Sequence, residues 1–244
     1  MCGYCGGTAD HHATAASRRV FLRLAGIVAA GVAVPSIALA AKAPPKPRNV
    51  LTPDAALARL KEGNARYVAG VAKRHDFKNE REALTKGQNP YAAILGCADS
   101  RVAPEYAFDA GRADLFVCRV AGNFANDDVI ASLEYAVAVL NTPLLMVLGH
   151  QSCGAVDATI KSIKDGTTLP GHLPSLVAAL SPAVKATLNQ PGNTLDNATR
   201  QNVLLNVEKL KTATPILDKA VAEKKIKIVG AVYRLDTGRV DIIA

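Results

Sequence analysis

Short, continuously apolar runs alternate with amphipathic stretches through the middle of this chain. "YAAIL" (91–95) and "LLMVL" (144–148) are apolar throughout, which is typical of strands buried on both faces of a parallel sheet. "DLFVCRV" (114–120) predicts a third strand. Between it and "LLMVL", "DDVIASLEYAVAVL" (127–140) carries apolar residues at helical spacing. This order of strand, helix and strand predicts an α/β fold with a mostly parallel central sheet flanked by helices.

The chain on either side of this unit also divides into elements. Thr52 offers an N-cap and Pro53 a first helical position, so we expect a helix to begin there. Near the end of the chain, "KIKIVGAVYRL" and "RVDIIA" predict two strands joined by an Asp-Thr-Gly turn. The other expected elements are loops at 166–175 and 189–200 and helices around 200–211 and 215–224. We expect a single domain over 52–244.

The first 41 residues have the order of an export signal. Arg18 and Arg19 precede an uncharged, Ala-rich run that ends in small residues, with Ala38-Leu39-Ala40 as the best cleavage site. The Ser-Arg-Arg-x-Phe-Leu pattern resembles a twin-arginine signal, which implies export by the twin-arginine machinery. A Pro-rich linker is expected at 42–51. The expected location is periplasmic or secreted. An uncleaved signal that anchors the chain in a membrane is the alternative, because the uncharged run reaches 18 residues.

The charge pattern does not indicate a nucleic-acid-binding protein, and the cysteine content does not indicate a disulfide-stabilised one. The formal net charge is +8, and it falls to +6 without the leader, with the basic residues scattered among acidic ones. Few aromatic residues are present, so nucleic acid is not expected as a partner. Of the five cysteines, Cys2 and Cys5 lie in the leader. The remaining three, Cys97, Cys118 and Cys153, are an odd number and do not suggest a disulfide framework.

Three potential metal ligands follow predicted strands. Cys97 comes directly after one buried strand, and His150 and Cys153 come directly after another. Ligand sites of open α/β sheets form outside the carboxyl ends of the strands, so neighbouring parallel strands would bring these side chains together. Two thiolates and one imidazole are a ligand set that zinc favours, and three protein ligands leave a fourth position open for catalysis. Taken singly, each residue could instead be an ordinary core residue.

An aspartate and an arginine stand beside the first of these ligands, in "CADSR". Zinc lowers the pKa of a bound water from about 16 to near 7, so that hydroxide is available as a nucleophile. Asp99 can orient that nucleophile, and Arg101 can hold Asp99 through a bidentate pair and keep it ionised. A turn-forming aspartate with a surface arginine is the alternative.

The pair of motifs C-x-D-S-R and, some fifty residues later, H-x-x-C-G resembles the β-class carbonic anhydrases. Four further segments are similar to that family: "EGNARYV" (62–68), "GQNPYAAILGCADSRVAPE" (87–105), "DLFVCRVAGN" (114–123) and "SLEYAV" (132–137). The resemblance covers most of 52–160 and, weakly, the final strands. It implies Zn²⁺ as cofactor and the reversible hydration of carbon dioxide to bicarbonate and a proton as activity.

The resemblance also implies roles that the residues alone do not indicate. Gln88, Phe116 and Tyr135 would line the carbon dioxide pocket, partly across a dimer interface, with Gln88 as a hydrogen-bond donor to the substrate. A homodimer or homotetramer is therefore expected. Some relatives have closed forms in which the residue matching Asp99 becomes a fourth zinc ligand. Many relatives have Arg-Asn where this chain has Arg119-Val120, and the absence of tryptophan leaves no residue of that type for the inhibitory bicarbonate site of some members.

Two other functions keep the same fold. One is an enzyme with this zinc site that hydrolyses a related substrate, carbon disulfide or carbonyl sulfide. The other is a zinc-binding protein without catalysis, whose expected sign is the loss of Asp99 or Arg101, and both are present.

Overall fold

A computed structural model describes residues 51–244 of the chain. The expected leader (1–41) lies outside the described residues, and so does the expected linker apart from Leu51. Within 51–244, no helix combines the length and the apolar character needed to cross a membrane.

Five strands form one sheet in the order β2-β1-β3-β4-β5. The strands are β1 (Ala92–Gly96), β2 (Leu115–Arg119), β3 (Leu144–His150), β4 (Lys227–Tyr233) and β5 (Val240–Ile242). Strands β1 to β4 are parallel, and β5 pairs with β4 in the antiparallel sense. The expected parallel sheet and the two final strands are therefore confirmed.

Eight helices accompany the sheet in the described part of the chain. They are α1 (Pro53–Val68), α2 (Glu80–Leu84), α3 (Pro104–Ala107), α4 (Asp127–Ala138), α5 (Gly154–Asp165), α6 (Leu173–Lys185), α7 (Thr194–Lys211) and α8 (Leu217–Ala222). Helix α1 begins as expected, because the Thr52 side chain accepts a hydrogen bond from the Ala55 N–H and Pro53 occupies the first turn.

The hydrophobic core lies on both faces of the sheet. Successive residues of β1 point to opposite faces, so that Ala93 and Leu95 pack in one cluster and Ala92 and Ile94 in another. The first cluster contains residues of α4, α7 and α8, and the second contains residues of α1 and α3. Helices on both faces explain why the strands are apolar along their whole length.

The predicted loops at 166–175 and 189–200 were wrong in part. Helix α6 already begins at Leu173, with a proline in its first turn where no backbone donor is needed. Helix α7 begins at Thr194, because the side chain of Asn193 accepts a hydrogen bond from the Asp196 N–H and caps the helix. The pattern misled because the first turns of α7, 194–199, are rich in Thr, Asp and Asn, which are typical of turns.

Helix α7 packs unusually close to β3 and β4. A Cβ atom added at Gly149 would lie 2.7 Å from Val203 Cγ2, and one added at Gly230 would lie 2.7 Å from Val203 Cγ1. The two glycines thus form a shallow seat for the Val203 side chain, which is fully buried. This seat determines where α7 lies along the strand that ends in His150.

Candidate metal centre

Cys97, His150 and Cys153 meet at the carboxyl end of the sheet. Cys97 follows β1, His150 ends β3, and Cys153 is the N-cap residue of α5. Because β1 and β3 are paired and parallel, both deliver their last residues to the same edge. The ligand atoms of the three residues lie within 4.8 Å of one another, and all three residues are buried. The predicted convergence is confirmed.

The donors of this cluster suit a metal such as zinc. His150 Nδ1 lies 2.9 Å from the carbonyl oxygen of Gln151, so a proton on Nδ1 leaves the Nε2 lone pair free. His150 Nε2 is buried and has no hydrogen-bond partner. An unpaired buried nitrogen beside two buried sulfurs is costly unless a metal binds there. The three residues therefore fit zinc.

The two thiols of the cluster influence each other's pKa. A hydrogen bond from the Cys153 thiol lowers the pKa of Cys97 to about 4, and the same contact raises the pKa of Cys153 above its usual range. A metal bound here would require both sulfurs as thiolates, so its binding would release protons.

Two groups that the sequence did not single out hold the Cys97 loop. The Gly122 N–H donates a hydrogen bond to Cys97 Sγ at 3.2 Å. Arg119 donates from Nε to the Cys97 carbonyl at 2.8 Å and from Nη2 to the Asp99 carbonyl at 2.6 Å. Arg119 ends β2 opposite Gly96, so its position at a strand end was the available signal. Nothing in the sequence indicated the role of Gly122.

Asp99 and Arg101 form the predicted pair. Arg101 Nε donates to Asp99 Oδ1 at 2.9 Å and Nη2 donates to Oδ2 at 2.7 Å, while the backbone N–H of Arg101 also donates to Oδ1. The guanidinium hydrogen bonds hold the pKa of Asp99 well below its usual range. Asp99 Oδ2 lies 3.8 Å from His150 Nε2, beside the three ligand atoms but outside their set. The Asp99 carboxylate is thus paired with Arg101.

The three predicted pocket residues do not all meet within one chain. The rings of Phe116 and Tyr135 have centroids 6.3 Å apart. Gln88 precedes β1 and lines a cavity of about 660 Å³ at the opposite, amino end of the strands. The length of β1, about 17 Å for five residues, separates Gln88 from Cys97 of the same chain.

Cys118, His75 and His172 lie outside the cluster and have ordinary surroundings. Cys118 is half-buried, and burial raises the pKa of its thiol, as expected for a packed residue. His75 stacks on Phe77, and its Nε2 lies 3.7 Å from Asp109. His172 is exposed at the start of α6.

Comparisons with known proteins agree with the geometry. The carbonic anhydrase family profile matches residues 92–240. The chain is 42% identical over 188 residues to carbonic anhydrase 2 of Mycobacterium tuberculosis, a match that covers 77% of this chain and 91% of that protein. The structure of the β-carbonic anhydrase CcaA is similar, with a TM-score of 0.60 and 26% identity over 77% of this chain and 98% of that one.

The fold is also similar to that of a tetrameric β-carbonic anhydrase from Sordaria macrospora, with a TM-score of 0.63 and 21% identity over 77% of this chain and 96% of that one. At this identity the likeness concerns the fold alone. The family match spans strands β1 to β4 and the three candidate ligands, and the match to the mycobacterial protein covers nearly all of that protein. The chain therefore belongs to the carbonic anhydrase family, in its β class, and is a zinc enzyme that interconverts carbon dioxide and bicarbonate.

Proposed function

We propose that Cys97, His150 and Cys153 hold one zinc ion. We also propose that Asp99, held by Arg101, orients the reacting water for the hydration of carbon dioxide. The observation that carries this proposal is the convergence of three ligand atoms within 4.8 Å beside the Asp99–Arg101 pair. Bound zinc supplies a Lewis acid that allows water to lose a proton near neutral pH.

Asp99 acts as a hydrogen-bond acceptor for the reacting water. Its carboxylate is kept ionised by Arg101, and Oδ2 faces the ligand atoms at 3.8 Å from His150 Nε2. The guanidinium of Arg101 also donates to the Ser152 carbonyl at 3.2 Å, which connects the loop after β1 to the loop after β3. Arg101 therefore holds Asp99 in a fixed orientation beside the three residues that would bind the metal.

Zinc analysis and stopped-flow carbon dioxide hydration on the purified protein test the proposal. Cys97→Ser should remove most of the zinc and the activity, whereas Cys118→Ser, a matched control with a half-buried thiol outside the cluster, should leave both unchanged. Wild-type protein without zinc, or a Cys97→Ser variant that retains it fully, would show that the ligands are wrongly assigned. The same assay with carbonyl sulfide and carbon disulfide distinguishes the related hydrolases.

A second copy of the chain completes the substrate pocket in this proposal. Gln88 lies at the amino end of the sheet, far from the metal ligands of its own chain, so a partner's Gln88 would reach the site beside Phe116 and Tyr135. The expected assembly is a homodimer or a homotetramer, the latter as described for the Sordaria macrospora protein.

Mixed oligomers test this arrangement. Gln88→Ala and Asp99→Ala should each reduce activity, and a heterodimer of the two variants should recover activity, because one of its two sites then combines an intact Asp99 with the partner's intact Gln88. Pockets built within single chains would give no recovery, and an active monomer in light scattering would contradict the proposal directly.

The proposed location is the periplasm or the exterior, reached through the twin-arginine machinery. Support comes from Arg18 and Arg19 and from the chemistry of the site, because Cys97 and Cys153 must stay reduced to bind zinc. Folding around zinc before export would protect both sulfurs. Replacing both arginines with lysine should leave zinc-loaded precursor in the cytoplasm. Continued processing and export of that variant would indicate another route, and recovery of uncleaved wild-type protein with membranes would indicate an anchor.

A further inference from the structure

A ladder of polar side chains on α7 reaches the loop that contacts Cys97. Asn202 and Asn206, one helical turn apart, are both buried. Asn202 Nδ2 donates to the Gly122 carbonyl at 2.8 Å. Asn206 Nδ2 donates to Asn202 Oδ1 at 3.0 Å, and Asn206 Oδ1 accepts from the Ala125 N–H at 2.7 Å. The 122–125 loop is thus fixed to one face of the helix.

Gly122 connects this ladder to the metal site. Its carbonyl accepts from Asn202, and its own N–H donates to Cys97 Sγ at 3.2 Å. Gly122 has a φ of 86°, a conformation that favours glycine, and a Cβ here would lie 2.8 Å from Leu180. The N–H and the carbonyl of Gly122 belong to adjacent peptide planes that meet at its Cα, so the hydrogen bond to the carbonyl restricts the Gly122 backbone angles that relate the two planes.

The position of α7 relative to the other ligand strand is also fixed. Val203, the next residue after Asn202, sits in the seat formed by Gly149 and Gly230, and Gly149 directly precedes His150. One turn of α7 thus contacts the His150 strand through Val203 and the 122–125 loop through Asn202.

We propose that Asn202, supported by Asn206, is a positioning residue for the metal centre that aims the Gly122 N–H at Cys97 Sγ. This inference rests on the proposed zinc site. An N–H donor stabilises negative charge on sulfur and restricts its position, and such outer hydrogen bonds affect metal affinity strongly. Without Asn202, the Gly122 carbonyl is buried and unpaired, and its peptide plane turns to find another partner. That rotation changes the backbone angles at Gly122 and loosens the neighbouring peptide plane that carries the N–H.

Asn202→Leu in the full chain tests the proposal, because leucine has a similar volume and admits no bridging water. Zinc affinity is measured by competition with a chromophoric chelator, and the cobalt-substituted protein gives the sulfur-to-metal charge-transfer band. We expect a loss of zinc affinity of about 10–100-fold. We also expect the band to shift to longer wavelength, because a sulfur without its donor is more easily oxidised.

Asn64→Leu is the matched control. Asn64 is a buried asparagine whose Nδ2 donates to the Ala107 and Gly238 carbonyls, outside the metal site. The Asn64→Leu variant should have a lower free energy of unfolding but the same zinc affinity and the same cobalt band as the wild type.

The outcomes separate the inference from the proposed function. Wild-type protein that binds no zinc overturns the proposed site itself. Zinc-binding wild-type protein with unchanged affinity and spectrum in Asn202→Leu overturns the inference, as does an equal loss in Asn64→Leu. If Asn202→Leu does not fold, the milder Asn206→Ala decides, with a smaller loss of affinity expected and no loss refuting the ladder.

Discussion

Gly149→Ala should destabilise the protein through one defined contact. The added methyl would lie 2.7 Å from Val203 Cγ2 and 3.4 Å from Thr199 Cγ2. The first distance is about 1 Å shorter than an unstrained carbon–carbon contact. Val203 is fully buried and is also held by Gly230, so α7 and β3 must separate slightly.

The magnitude follows from the volume involved. Inserting one methyl into a packed core costs about 1–3 kcal/mol, so we expect a loss of about 2 kcal/mol of unfolding free energy. Val203→Ala removes two buried methyls at about 0.8 kcal/mol each and leaves a cavity, for a loss of about 2 kcal/mol. In the double variant the methyl added to Gly149 fills the space that Val203 vacates, so the combined loss should stay near 2 kcal/mol rather than about 4 kcal/mol.

Urea unfolding at fixed zinc concentration measures this cycle, because bound metal adds to apparent stability. Zinc affinity should fall in Gly149→Ala and recover in the double variant, since the seat also places Asn202. Gly154→Ala is the control: it lies next to Cys153, and its added methyl meets nothing within 4 Å. Additive losses from Gly149→Ala and Val203→Ala would refute the seat as the cause.

The remaining predictions concern the site and its acid stability. Asp99→Ala should retain zinc and lose about 10²–10⁴-fold in hydration rate. Arg101→Ala should do likewise, because an unpaired Asp99 can move onto the metal. Full activity in either variant would show that the pair has no role in catalysis. Arg119→Met, which removes two hydrogen bonds to the Cys97 loop, should weaken zinc binding about tenfold in chelator competition. Burial raises the pKa of Asp109, but the Arg66 hydrogen bond and a backbone donor outweigh it, so the pKa is lowered. Ionised Asp109 therefore stabilises the fold at pH values above its unfolded-state pKa of about 4, and this stabilisation is lost as the pH falls through its folded-state pKa. Asp109→Asn should reduce the decline of unfolding free energy at acid pH, measured by urea titrations. An unchanged dependence on pH would contradict this role of Asp109.

The ligand set was predictable from the sequence because its signals are local. Cys97 and His150 each end an apolar run, and the carboxyl ends of neighbouring parallel strands must meet. The spacing of Asp99 and Arg101 is short enough for a pair within one loop. Only the adjacency of β1 and β3 had to be assumed, and the structure confirms it.

The residues that hold the metal-site loops in place were not predictable, because they are far in sequence from the groups to which they bond. Asn202 reaches Gly122 across 80 positions, and no periodic pattern marks either residue. The first turns of α7 are rich in Thr, Asp and Asn and resemble a polar loop, which is why the start of the helix was missed. Gln88 was identified by family resemblance alone, and a single chain leaves it at the other end of the sheet.

The chain order of these parts has a consequence for dissecting the protein. All three candidate metal ligands lie before residue 154. Asn202 comes from the last third of the chain, and so do the backbone groups in β4 and just after it that form hydrogen bonds with Gln151. An exposed turn around Gly192 separates the two sets. A chain cut at this turn should yield an amino-terminal piece that contains all the ligands but binds zinc weakly. The carboxyl-terminal piece, which contributes no ligand, should restore tight binding on mixing, so that the metal itself reports reassembly of the two halves.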